Sequence, residues 1–132
     1  METSTAVTIT IHQRIGAALA AIAIGLGAFG AHGLENRLET AGMMEVWRTA
    51  VFYHLIHAVS IYFLASMAGG KPSTRLSLTM NLWIAGVILF SGSLYGLALT
   101  SWGVLGPITP FGGLCLIAGW IVAFGAKFIP SS

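Results

Sequence analysis

Charged side chains are missing from a long part of this sequence: residues 76–126, 51 in a row, include no Asp, Glu, Lys, Arg or His. A helix crosses the hydrocarbon core of a bilayer with about 20 apolar residues, so this run is long enough to cross it twice. A soluble domain would need charged residues along such a stretch, because most of its surface faces water. The absence of charge therefore predicts an integral membrane protein.

Other absences limit the chemistry. Asp does not occur in the chain, which excludes Ser-His-Asp triads and Asp-based magnesium sites. Cys115 is the single cysteine and lies in an apolar run, so we interpret it as a small buried hydrophobic residue. The formal charge of +2 is small and scattered, which predicts no nucleic-acid partner.

Four apolar segments separated by polar connections are present in the chain of 132 residues. That length predicts one domain. The segments predict an all-α fold with membrane spans at about residues 13–31, 47–68, 76–100 and 107–127. Because the connections are short, we expect an up-down four-helix bundle.

The connection between the first and second spans, residues 34–46, mixes apolar residues with Glu35, Arg37, Glu39 and Glu45. This pattern predicts a short amphipathic helix at the membrane interface. A solvated loop is the alternative.

The positive charges differ between the two sides of such a bundle. One side would carry Arg14, Lys71, Arg75 and Lys127, and the other only Arg37 and Arg48. Cytoplasmic connections carry an excess of Lys and Arg. We therefore expect a multi-pass protein of the cell membrane whose N- and C-termini are both cytoplasmic.

Small residues recur four apart and predict where helices approach closely, since such positions share one helix face. The first span has two such rows, Ala17-Ala21-Gly25 and Ala23-Gly27-Ala31. The predicted packing glycines of the whole chain are Gly25, Gly27, Gly92, Gly96 and Gly119.

Three ionisable side chains, Tyr53, His54 and His57, lie inside the second span. The two histidines are three residues apart and share a helix face, which we expect to point into the bundle because lipid offers imidazole no partner. His32 ends the first span on the same side of the membrane, so we expect it within reach of one of them. His12 is excluded, because 20 helical residues place it about 30 Å from His32.

Three interpretations of these histidines stay open. They hydrogen-bond to backbone carbonyls or to Ser91, Ser93 and Thr109. They bind a metal ion or a b-type haem, with Glu35 or Glu45 completing a metal shell. They titrate near neutral pH and move protons or ions. The spacing does not decide, because it matches no specific metal motif.

Eight short blocks carry a resemblance to a known family: residues 27–34, 47–54, 57–58, 90–95, 97–100, 105–110, 112–113 and 119–120. In this order and spacing they resemble the YgdD/YwdK-type family of small membrane proteins, over about residues 13–125. That family is a domain of unknown function with several membrane spans. The resemblance therefore implies the fold and brings no activity, ligand or catalytic residue.

For function, we expect a membrane-embedded binding or accessory component without stand-alone catalysis. Its partners would be the lipid bilayer and either further copies of the chain or a larger membrane complex. The first alternative is a metal- or haem-binding redox protein that uses the histidines. The second is an ion or small-molecule transporter, which would require an oligomer because such sites usually need more helices.

Overall fold

A computed structural model describes residues 9–127 as helices joined by short turns. The α-helices are α1 (Ile11–Ala31), α2 (Glu35–Thr40), α3 (Met44–Ala68), α4 (Thr74–Gly86), α5 (Gly92–Thr100) and α6 (Ile108–Phe124). A π-helical turn, Val87–Ser91, joins α4 to α5, and a 3-10 turn, Gly103–Leu105, precedes α6. No β-strand occurs in residues 9–127, so the all-α prediction is confirmed.

Four helical segments are long and apolar enough to cross a membrane. They are Ile11–Ala31, Met44–Ala68, Thr74–Thr100 and Gly103–Phe124, and we call them spans 1 to 4. The prediction of four spans is confirmed. Each span begins two to four residues earlier than predicted, and span 4 ends at Phe124, three residues earlier than predicted.

Spans 2 and 3 form the centre of the molecule. In their apolar windows 39% and 33% of the residues are buried, against 17% in span 1 and 17% in span 4. Span 1 packs mainly on span 2, and span 4 packs mainly on span 3. The outer two spans therefore leave most of their apolar side chains on the surface, where lipid would contact them.

Close contacts at glycines show the relative direction of neighbouring spans and set the distance between them. Gly16 lies against Tyr62 and Gly30 against Trp47, so α1 and α3 are antiparallel. Gly112 lies directly against the backbone of Phe90, where a Cβ would collide with main-chain atoms. This glycine therefore sets the distance between spans 3 and 4.

The contact face of α1 follows a seven-residue repeat, which includes Ala23 of the predicted row Ala23-Gly27-Ala31 and leaves the row Ala17-Ala21-Gly25 outside. Gly16, Ala23 and Gly30 are buried, and a Cβ on Gly27 would lie 3.3 Å from Val51 Cγ1. Gly25 meets nothing within 4 Å, so its prediction as a packing residue was wrong. A helix pair in close contact favours 3.5 residues per turn, and a straight row of fours turns away from the partner.

Of the other predicted packing glycines, two lie against a neighbouring segment and one does not. A Cβ on Gly119 would lie 2.5 Å from Trp83 Cδ1, and one on Gly96 would lie 2.8 Å from Leu105 Cδ1. Gly92 has nothing within 4 Å, and its prediction was wrong. The neighbour of Gly96 belongs to the turn after α5, so the contact does not extend one helical turn back to Gly92.

The connection between spans 1 and 2 is helical over only six residues, the length of α2. Leu38 of α2 is fully buried and clusters with Trp47 and Ala98. Arg37 donates a hydrogen bond from Nη2 to the carbonyl of Leu99 at 2.6 Å. Since the last carbonyls of a helix lack partners within it, this bond ties α2 to the end of α5.

Candidate functional site

His54 and His57 form the polar centre of the structure. Each side chain is only 4% exposed. Their spacing along α3 places both on the face that meets the other spans, as expected.

Both ring nitrogens of His57 make hydrogen bonds. Nδ1 lies 2.7 Å from the carbonyl oxygen of Tyr53, one turn earlier in α3. A carbonyl only accepts, so Nδ1 carries the proton. Nε2 then accepts a hydrogen bond from Trp120 Nε1 at 3.0 Å. The imidazole is therefore neutral, and it connects span 2 to span 4.

His54 connects span 2 to span 3. Its Nδ1 lies 3.0 Å from the hydroxyl of Tyr95, and the two rings pack edge to face with centroids 5.9 Å apart. Nε2 of His54 is buried and has no hydrogen-bond partner within residues 9–127.

The hydroxyl groups expected beside the histidines bind elsewhere. Ser91, at the end of the π-helical turn, donates to the carbonyl of Ala50 at 2.8 Å. Ser93 and Thr109 share a hydrogen bond of 2.7 Å. These hydroxyls connect spans 2, 3 and 4 without contacting an imidazole. The backbone carbonyl predicted as a partner is present at His57 alone.

Of the other predicted site residues, Tyr53 adjoins this centre, because its ring stacks on that of His57 with centroids 6.4 Å apart. His32, Glu35 and Glu45 lie away from the centre. His32 is the exposed C-cap residue of α1, and Glu35 is exposed in the first turn of α2. Glu45 pairs with Arg48 at 2.7 Å, with both side chains largely exposed. Tyr53 is 40% exposed on the outer face of α3.

The predicted metal shell is not assembled in the part of the chain that the structure describes. No three His, Cys, Asp or Glu side chains there could hold a metal ion. Gly30, near the end of α1, packs on Trp47, and seven helical residues separate Trp47 from His54, about 10 Å. His32 and the glutamates therefore lie at the helix ends, whereas His54 lies two turns further inside.

Tyr95 and Trp120, the hydrogen-bond partners of His54 and His57, were not predicted from the sequence. The rings of Trp120, His57 and Trp83 pack against one another, with the centroid of Trp120 4.5 Å from that of Trp83 and 6.1 Å from that of His57. Tyr95 also packs edge to face on Trp47 at 4.9 Å. A Trp or Tyr inside a membrane span needs a partner for its N–H or O–H. That requirement was the signal that could have paired them with the two histidines.

Two grooves open on the outer surface of the helices. One, of about 260 Å³, is lined by aromatic side chains including Tyr53, Phe90 and Trp120, and His57 forms part of its wall. The other, of about 330 Å³, lies between α1 and α3 and has Glu35 and Arg48 at its end. Neither groove combines a nucleophile with an acid and a base.

Four apolar helices long enough to cross a membrane, connected in the interior by hydrogen bonds such as those of His54 and His57, define a small multi-span membrane protein. The model of the family described as "Protein of unknown function (DUF423)" matches residues 26–113. The chain belongs to this family. The resemblance found in the sequence blocks is confirmed.

Relatives of this chain occur in bacteria and in a fungus. UPF0382 membrane protein YwdK of Bacillus subtilis is 46% identical over 110 residues, covering 82% of this chain and 88% of the relative. UPF0382 membrane protein SH2409 of Staphylococcus haemolyticus is 41% identical over 116 residues, covering 86% and 92%. UPF0382 membrane protein C1782.12c of Schizosaccharomyces pombe is 39% identical over 106 residues, covering 75% and 86%. No solved structure matches the chain.

Proposed function

We propose that this protein is a binding or accessory component of the cell membrane, without stand-alone catalysis. It would act as a homo-oligomer or within a larger membrane complex, with both termini in the cytoplasm. The observation that carries the proposal is the hydrogen bonding of His57, whose two nitrogens bind the carbonyl of Tyr53 and the indole of Trp120. Such an imidazole connects helices and has no free atom for chemistry.

A redox role through a metal or haem would break this arrangement. A ligand bond from His57 Nε2 would displace the N–H of Trp120 and leave it unpaired inside a membrane, which costs several kcal/mol. His54 Nε2 is the one imidazole nitrogen of the pair without a partner within residues 9–127. A metal or haem site would therefore depend on a single histidine in the interior.

The test is to purify the full-length protein from its native membrane in mild detergent. We expect it to migrate with further copies or with other membrane proteins, with no Soret band and no stoichiometric metal by elemental analysis. A Soret band or an equimolar metal that His54→Gln removes would contradict the proposal. His12→Gln is the matched control, because His12 lies near the other end of span 1 and contacts Asn81.

A further inference from the structure

We propose that the groove between α1 and α3 binds one membrane phospholipid with a phosphoethanolamine headgroup. Its walls include Gly27, Gly30, Val51 and Phe52, and Glu35 and Arg48 lie at its end. The volume of about 330 Å³ is within the range of small-molecule sites. This inference rests on the proposed binding role and names a ligand for it.

The inner part of the groove suits a hydrocarbon chain. Gly27 and Gly30 let α3 approach α1 closely, since a Cβ on Gly30 would collide with the indole of Trp47 and one on Gly27 would lie 3.3 Å from Val51 Cγ1; the groove follows this contact line. Trp47 forms part of the wall, and its N–H already donates to the carbonyl of Leu26 at 3.0 Å. From Met44 to Leu55 the groove follows α3 for about 16 Å at 1.5 Å per residue. An acyl chain lying there would contact apolar atoms and continue into the surrounding bilayer.

The end of the groove carries charges that are not paired with each other. Among residues 9–127 the one ion pair is Arg48 with Glu45, so Glu35 has no cationic partner there. Arg48 uses Nη1 for that pair, and a guanidinium has five N–H donors. The pair is largely exposed and therefore weak. Arg48 can thus donate to a phosphate while Glu35 accepts from a cation.

The net charge of the side chains near the groove favours a zwitterionic lipid headgroup. Glu35, Glu45 and Arg48 together carry one more negative charge than positive, which disfavours a purely anionic lipid. A zwitterionic headgroup would place its phosphate on Arg48 and its ammonium on Glu35. A primary ammonium donates a charge-assisted hydrogen bond to a carboxylate, whereas a quaternary choline has no N–H. Phosphoethanolamine therefore fits this site better than phosphocholine or phosphoglycerol.

The headgroup is tested by native mass spectrometry of the full-length protein in detergent. Phosphatidylethanolamine, phosphatidylcholine and phosphatidylglycerol with identical acyl chains are added in equal amounts. We expect phosphatidylethanolamine to be retained about tenfold over the others, the effect of one charge-assisted hydrogen bond. Glu35→Gln should remove this preference. The matched control Glu39→Gln, on the same helix but outside the groove, should keep it.

The chain site is tested in the same experiment. Ala31→Leu fills the groove and should lower retention of all three lipids severalfold. Gly25→Leu adds the same side chain on the open face of α1, where nothing lies within 4 Å, and should leave retention unchanged. Circular dichroism checks that both variants keep their helices.

Several outcomes would overturn the inference. One is equal retention of the three lipids by the unmodified protein, or preferred retention of phosphatidylglycerol. Another is the same loss of the phosphatidylethanolamine preference in Glu39→Gln as in Glu35→Gln. The last is a dimer of the protein that retains no lipid. Each would rule out a phosphoethanolamine site in this groove but would leave the accessory role standing, because that role is judged by migration with other proteins and by the metal and haem measurements.

Discussion

At the scale of single residues, hydrogen bonds between buried histidines and aromatic side chains connect the spans. In a soluble protein a buried histidine can reach water, but inside a bilayer it must find a protein atom. His57 uses its own helix for one nitrogen and Trp120 for the other. His54 uses Tyr95. Each pair joins two spans, so these polar contacts specify which helices are neighbours.

The bond between Trp120 and His57 should be measurable as a coupling. Trp120→Phe should lower the free energy of unfolding by about 1–3 kcal/mol, because His57 Nε2 is left buried without its donor. His57→Leu should lower it as well, and the double variant should lose less than the sum of the two. The measurement is thermal unfolding in one detergent at fixed protein concentration.

Trp102→Phe is the control for that cycle, since Trp102 is 68% exposed in the turn between spans 3 and 4. It should change stability little. Additive losses for Trp120 and His57 would show that the hydrogen bond does not stabilise the fold.

At the scale of elements, the spans and their order could be predicted from the sequence, but their contact faces could not. Length and hydropathy fix where a span begins and ends to within a few residues. The contact face depends on the partner: the row containing Gly25 and the seven-residue row through Gly16, Ala23 and Gly30 are equally rich in small residues. Only packing on α3 distinguishes them.

Alanine at these two kinds of glycine should act in opposite directions. Gly30→Ala should destabilise the protein by about 1–3 kcal/mol, because its Cβ would collide with the indole of Trp47. Gly25→Ala should stabilise it by up to about 1 kcal/mol, because the site is open and alanine favours helix. Thermal unfolding of both variants gives the two signs. A loss of stability in Gly25→Ala would contradict the assigned contact face.

The π-helical turn Val87–Ser91 was also not predictable. Its sequence has no proline or glycine, and nothing in its hydrophobic pattern marks the extra residue. In the structure the turn brings Ser91 to the carbonyl of Ala50 and presents the backbone of Phe90 to Gly112. The turn and the glycine therefore depend on each other.

Adjacent glycines on α6 provide a direct test of this contact. Gly112→Val should destabilise the protein strongly, by about 1–3 kcal/mol or more, because a Cβ would lie 2.7 Å from Phe90 Cα. Gly113→Val should be tolerated, since its Cβ would lie 3.6 Å from the nearest atom of the Phe90 ring, an ordinary contact. Yield and unfolding temperature in detergent compare the two. Equal effects would show that the two helices do not approach at Gly112.

At the scale of the whole molecule, the sequence predicted on which side of the membrane the candidate site residues lie, but not how deep each of them lies. The sequence placed His54 and His57 in the interior because lipid excludes them. It also grouped them with His32, Glu35 and Glu45, because these residues share one side of the membrane. Depth separates the two sets: the histidines of α3 lie inside the helix packing, and His32 and Glu35 are exposed at the helix ends. The charged side chains at the helix ends therefore lie at the membrane surface and not in the interior of the bundle.

The distribution of that surface charge predicts the orientation of the whole molecule in the membrane. The end that holds the connection between spans 2 and 3 carries Arg14, Lys71, Arg75 and Lys127, against Arg37 and Arg48 at the other end. The positive-inside bias predicts cytoplasmic termini. A reporter that is active only in the cytoplasm should be active when fused after Ser132 and inactive when inserted at Trp102. Replacing Lys71, Arg75 and Lys127 with Gln should weaken the preference and give a mixture of orientations. Activity of the reporter at Trp102 in the unmodified protein would reverse the assignment, and the groove with Glu35 and Arg48 would then face the cytoplasmic leaflet.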